Sequence, residues 1–237
     1  MGRRIPFQSL KGENMEPEIL YEDASLLVVY KPAGMAVESA DPSQMDLYSF
    51  LRNLRKEKEE EDYIAVINRL DQPVEGIVAI GKSKAAAEKL SKQMIEHDIR
   101  KSYYTIITRD NLPEKGTMVD YLVKDGRKSR AMVVDKNDPR AKKAELNYRV
   151  LEGIDNMHLV DVDLLTGRFH QIRCQFARRS APILGDIKYG GYNTGRNLAL
   201  CAYRLSLKSP ETGEYVTFQV MPKGKDFQEF SYFRNQD

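Results

Sequence analysis

Three short groupings of residues in this chain have types and spacings that chemistry could use. The first is Asn68-Arg69-Leu70-Asp71-Gln72-Pro73, a polar knot between apolar runs at 63–67 and 77–80, with Gly76 opening the second run. A carboxylate held in such a connection is a competent nucleophile, although an aspartate in a turn more often bonds its own backbone. The second is Lys101-x-Tyr103, in a stretch rich in aromatic and β-branched residues. There Tyr103 shares a strand face with Lys101 and Thr105, because side chains alternate. The third is Gly167-Arg168-Phe169-His170-Gln171-Ile172-Arg173. Arg168, His170 and Gln171 at a helix start suit phosphate, through guanidinium and backbone N–H groups. Arg173, one turn after His170, can face the same cleft.

These residues need elements to hold them. Residues 18–23 and 25–30 read as two short strands around an Asp-Ala turn, and 63–83 as strand, tight connection, strand. Residues 44 to about 60 carry Leu47, Phe50, Leu51 and Leu54 on one helical stripe. Ser83 is placed to N-cap a second helix running to about His97. From Arg100 the pattern turns to β: 101–108, 117–123, 129–134, 144–151 and 158–164. A short helix is expected to start at Thr166-Gly167 and to run through Phe169, Ile172 and Phe176, with strands near 198–207 and 215–220 beyond it. The expected fold is α+β, a mixed and mainly antiparallel sheet flanked by helices. Residues 1–15 read as a loose tail and 16–237 as a single domain, with no repeat or linker.

Composition excludes several classes. With 41% hydrophobic and 30% charged residues the chain is an ordinary globular protein. No apolar run reaches membrane-spanning length, and Met1-Gly2-Arg3-Arg4-Ile5-Pro6 has no apolar stretch behind it, so a cytoplasmic protein is expected. Cys174 and Cys201 read as buried free thiols. His97, His158 and His170 show no ligand spacing, so no metal is expected. Net charge is only +2, but residues 101–150 carry 12 Lys/Arg against 7 Asp/Glu, and 165–205 carry 7 against 1. Such segregation favours a polyanionic partner. Lys124, Arg127, Lys128, Arg130, Arg140, Lys142 and Lys143 form a candidate clamp on nucleic acid.

Taken together, the segments resemble the RluA-type family of RNA pseudouridine synthases, over roughly residues 18–222. Val28-Val29-Tyr30-Lys31-Pro32-Ala33-Gly34 is similar to the family's "NKPAG" turn, and Arg69-Leu70-Asp71-x-x-x-x-Gly76 to its "HRLDxxTSG" box. Lys101-x-Tyr103 matches "KxYxA", and 167–173 matches "GRTHQIR". Gly185-Asp186-x-x-Tyr189-Gly190 and Pro210-x-Thr212-Gly213-Glu214 fit later segments. The resemblance implies isomerisation of uridine to pseudouridine in rRNA or tRNA of a bacterium, without a cofactor or an obligate protein partner, by a monomer. It assigns Asp71 as nucleophile, Tyr103 as the ring against the target base, and Arg173 as the cation beside Asp71. Arg69, Arg168, His170 and Gln171 would bind substrate. A uridine must leave its stack to reach a carboxylate, which fits an RNA loop or a flipped base.

Departures are visible. Asn68 stands where the family has His, Val74-Glu75 where it has Thr-Ser, and Leu200-Cys201-Ala202 where it has "LHA". Glu75 is expected to set a second carboxylate near Asp71. An S4-type RNA-binding module is not expected before Glu16. The alternative from another class is a non-catalytic RNA-binding or chaperone protein on the same fold. A glycosidase using Asp71 and Glu75 fits less well, since Trp is absent and the segregated basic charge would have no purpose.

Overall fold

Asp23 turns the chain near its start. Its carboxylate accepts from the backbone N–H groups of Ser25 and Leu26 at 2.7 and 2.6 Å, closing the expected Asp-Ala turn. In this computed structural model, residues 3–4, 16–41, 43–58, 63–108, 112–191, 195 and 197–234 are described. They fall into two compact units, Met1–Ile99 with Ala202–Val220, and Arg100–Cys201 with Met221–Asp237.

In the first unit β1 (Arg3–Arg4), β2 (Glu18–Glu22) and β3 (Leu26–Lys31) pair antiparallel in turn. Arg3 pairs with Glu22 and Arg4 with Tyr21; the other residues of the 1–15 stretch, read from sequence as a loose tail, lie outside the described ones. Helix α1 (Leu47–Glu57) starts three residues later than its stripe suggests, because Asp46 caps it by accepting from Ser49 N–H at 2.7 Å. Then β4 (Ala65–Val66) pairs with β5 (Glu75–Gly81), and β5 also pairs with β3. Every residue of β5 is buried, as its continuous apolar run requires. The expected first strand of this pair is cut to two residues. Asn68 takes over the ladder with its side chain, donating Nδ2 to Ile77 O at 2.9 Å and accepting Ala79 N–H at 2.8 Å. A buried amide can imitate a strand residue in this way, and here it frees the backbone to turn at Asp71. Helix α2 (Lys84–Ile95) is capped by Ser83, as its sequence predicts.

The second unit is built on an antiparallel sheet in the order β6 (Arg100–Thr108), β10 (Met157–Leu164), β9 (Lys142–Ile154), β7 (Lys115–Asp125), β8 (Arg130–Val133). Helix α3 (Gln171–Arg178) packs on the β7–β8 end, where Leu122, Ala131, Ala144, Cys174 and Tyr189 form a buried cluster. Cys174 and Cys201 are both buried and free, as expected. Strand β11 (Leu200–Lys208) returns the chain to the first unit beside β5, and β12 (Tyr215–Gln219) pairs with it. The short α4 (Ser231–Arg234) belongs to the second unit, where the Glu152 carboxylate accepts from Ser231 and Tyr232. The mixture of antiparallel sheet and flanking helices is the expected α+β class.

Candidate active site

Asp71 sits in a tight turn of the first unit, where its carbonyl accepts Val74 N–H at 3.0 Å. A second turn, 30 to 40 residues earlier in the chain, holds this one in place. Gly34 N–H donates to Gln72 O at 2.9 Å, and the Gln72 amide donates back to Gly34 O at 3.1 Å. Gly34 is at φ +88°, a conformation open to glycine at no steric cost. Lys31, at 0% exposure, lies at the centre of the arrangement. Its ammonium donates to Pro32 O, Met35 O and Gln72 O at 2.9, 2.8 and 3.2 Å, which bolts the two turns together. Burial lowers its pKa to about 8, while the negative charges of Glu75 and Asp71 pull the other way. Lys31 is the residue of this arrangement that residue-by-residue reading overlooks. A lysine is among the side chains least often buried, and the only signal for it is its place before Pro32-Ala33-Gly34.

Glu75 and Asp71 both act electrostatically on the Lys31 ammonium. Glu75 is buried in β5 and accepts a hydrogen bond from the Tyr30 hydroxyl, a side chain one strand away on β3. Its carboxylate therefore has a donor inside the unit and a cation, Lys31, within electrostatic reach. Arg69 is exposed and lies 3.8 Å from Glu38. Such an exposed pair is worth little and leaves the guanidinium easy to recruit.

The second unit carries the other named residues. Tyr103 is buried on β6, and Thr105, on the same face, donates to Ala199 O at 2.9 Å. Lys101 lies close to the Gly167 backbone, 3.2 Å from where a side chain would begin, and burial lowers its pKa. The expected helix start at Thr166-Gly167 is corrected: α3 begins at Gln171, and 166–170 form a loop. Gln171 is the reason. Its side chain accepts from Thr166 Oγ1 at 2.8 Å and Arg168 N–H at 3.0 Å, and donates to Glu145 O and Gln175 Oε1 at 3.1 and 3.0 Å. The Gln171 amide thus folds the loop. Arg168 is tied at Nε to Lys143 O at 2.8 Å.

His170 occupies the N-cap position of α3 at φ 50°, ψ 29°, a left-handed conformation that is costly for a residue with a side chain. Its ring is held from both sides, Nδ1 3.0 Å from Tyr189 Oη and Nε2 3.2 Å from Arg173 Nη1. Arginine can only donate, so Nε2 accepts and the proton of a neutral ring sits on Nδ1. Burial, with the positive charges of Arg173, Lys188 and Lys124, lowers the His170 pKa to about 3 despite the opposing Asp186. Tyr189 Oη accepts Ala131 N–H at 2.6 Å, which fixes the far end of the chain of bonds to β8. Arg173 is itself gripped by Asp186 at two points, Nε to Oδ2 and Nη2 to Oδ1, both 2.8 Å. The guanidinium also lies over the Tyr189 ring at 5.2 Å. Of the candidate clamp, Arg140 pairs with Asp138 at 2.9 Å and Lys143 with Glu145 at 2.6 Å, so part of its charge is neutralised locally.

No helix among the described residues is long and apolar enough to cross a membrane. Residues 25–178 match the family model described as RNA pseudouridylate synthase. Among curated proteins, an uncharacterized RNA pseudouridine synthase of Bacillus subtilis is 30% identical over 88% of this chain and 70% of its own length. One from Chlorobaculum parvum is 32% identical over 92% of this chain and 74% of its own. The tRNA pseudouridine synthase C of Salmonella typhi is 29% identical over 86% and 84%. Among solved structures, human RNA pseudouridylate synthase domain containing 4 superposes with a TM-score of 0.73 at 23% identity, over 87% of this chain and 89% of that one.

Proposed function

Because the chain belongs to the RNA pseudouridylate synthase family, in its RluA type, and so converts uridine to pseudouridine in RNA, we propose that Asp71 is the nucleophile of that isomerisation. The observation that carries the reading is the buried Lys31 ammonium, bonded to Gln72 O of the Asp71 turn and to Pro32 O and Met35 O of the turn beside it. A fold spends a desolvated cation on a surface turn where the position of that turn matters. In the reaction the N1–C1′ bond of uridine breaks, the uracil turns, C5 bonds to C1′, the C5 hydrogen leaves as a proton, and N1 takes up a proton. The base must be held throughout. We assign that contact to Tyr103, and the fixed positive charge to Arg173, whose guanidinium is prevented from turning by Asp186. Arg69 and Arg168 are assigned to substrate phosphates, and His170, on the loop that carries Arg168, to the same substrate.

The substrate we propose is a uridine in rRNA or tRNA, unstacked before reaction, in the cytoplasm. The chain works as a monomer and as one catalytic domain over 16–237, and no step above calls for a cofactor. The test is tritium release from RNA labelled at uridine C5. Release by the wild type that disappears in Asp71→Ala, with RNA binding retained, is the expected result. Binding without release by the wild type, on total bacterial RNA, would instead favour a non-catalytic RNA-binding protein. Comparison of pseudouridine maps with and without the gene then identifies the uridine.

A further inference from the structure

Phe169 is a large apolar side chain of the second unit left at 37% exposure. It stands where the family motif has Thr, so the general reaction does not explain it. Its ring lies flat on His170, with centroids 3.8 Å apart and planes 19° from parallel. His170 in turn is locked by Arg173 and Tyr189, so the support under Phe169 is rigid. The ammonium of Lys124 lies over the Phe169 ring, 4.6 Å from its centroid. An imidazole at 3.8 Å leaves no room between the two rings, so the cation occupies the other face. Lys188 sits close enough to act electrostatically on His170, and Arg130 lies over Tyr189 at 5.0 Å. Asp186, the carboxylate of this neighbourhood that acts on His170, is already taken up by Arg173.

A flat aromatic on a rigid support, faced by the Lys124 ammonium, has the chemistry of a stacking platform for an unpaired nucleobase. We propose that Phe169 stacks on a single-stranded base of the substrate RNA, and that Lys124 moves from the ring to a phosphate of the same nucleotide or its neighbour. The exchange is favourable on magnitudes. An exposed cation–π contact shifts an equilibrium by about twofold to fivefold, whereas base–aromatic stacking is worth roughly fivefold to 150-fold per base. The displaced ammonium regains a charged partner in the phosphate. A duplex cannot use the platform, because its bases are already stacked, so the site selects unpaired RNA.

The proposal rests on the RNA substrate of the proposed function but makes no use of Asp71, which lets the two be tested apart. The chain contains no tryptophan, so Phe169→Trp places a single reporter on the platform. Titration with a single-stranded oligouridylate of about ten nucleotides, within the usual site size, is expected to quench its fluorescence; a duplex of equal length is not. Phe169→Leu is expected to weaken binding or raise KM by about fivefold or more, with kcat within about twofold and Phe169→Tyr near wild type. Binding with no quench, equal quench by the duplex, or unchanged affinity in Phe169→Leu overturns the platform. If Phe169→Leu does not fold, judged by its melting curve, the tryptophan titration decides alone. Tritium release without quench defeats the platform and spares the enzyme; quench without release by the wild type does the reverse.

Discussion

Arg173 meets Asp186 in a two-point ion pair from which water is excluded, their side chains being 6% and 0% exposed. A lone charge in that position would be far more costly than the pair, because each ion has given up its hydration. The pair also sets the orientation of the guanidinium, and through Nη1 that of His170.

Asp186→Asn should therefore be a severe change for one atom pair. It keeps the shape and removes the charge, leaving Arg173 buried without its counter-ion, at about 3–5 kcal/mol. Denaturant unfolding measures the loss. In whatever fraction stays folded, tritium release should fall together with that of Arg173→Lys, which keeps the charge but loses the planar fork. Wild-type stability in Asp186→Asn would sink the idea.

Lys31 predicts an unusual alkaline behaviour. Its folded pKa of about 8 lies below the ordinary 10.5 of the unfolded chain, so between those values the unfolded state binds the extra proton. Stability contributed at this site must then rise as pH climbs from about 8 to about 10.5. Cys174, pushed up to about 11 from 9, and Tyr21 and Tyr189, pushed up to about 12 from 10, pull the opposite way, from pH 9 and pH 10 respectively. The Lys31 contribution is thus read as the difference between wild type and Lys31→Met across pH 8 to 10.5. A difference that stays flat refutes the assignment.

His170 predicts the acid side. Its folded pKa of about 3 lies below the usual 6.5, so the unfolded state takes up a proton first and stability is lost as pH falls below about 6.5. Glutamine can hold similar bonds without titrating. His170→Gln should flatten the pH dependence of unfolding between 6.5 and 4, while changing it little at pH 8. Proton NMR of the wild-type ring at pH 5 should show a neutral imidazole.

Gly76 has no room for a side chain. It lies at φ +124°, and a Cβ added there would lie 2.6 Å from Ala202 N and nearer still to Ala202 O on β11. Backbone cannot yield as a side-chain tip can, so Gly76→Ala should cost about 2 kcal/mol or more from strain and collision together. Thermal unfolding checks this against Gly126→Ala, where nothing stands within 4 Å.

By itself the sequence determined the local elements and the family. Asp23 closed its turn, Ser83 capped its helix, and the alternating and helical patterns became β10, α1 and α2, because each depends on residues a few positions apart. The order of motifs was enough to place the chain among RNA pseudouridylate synthases. Which polar residues turn inward was decided only by the tertiary structure. Tyr30 and Glu75 are 45 residues apart, and Lys31 reaches Gln72 across 41. Gln171 folds its loop through an acceptor supplied by Glu145, 26 residues earlier. A polar side chain can be buried only where a partner waits for it. For these residues the partner comes from another strand or loop, so periodicity along the chain carries no record of it.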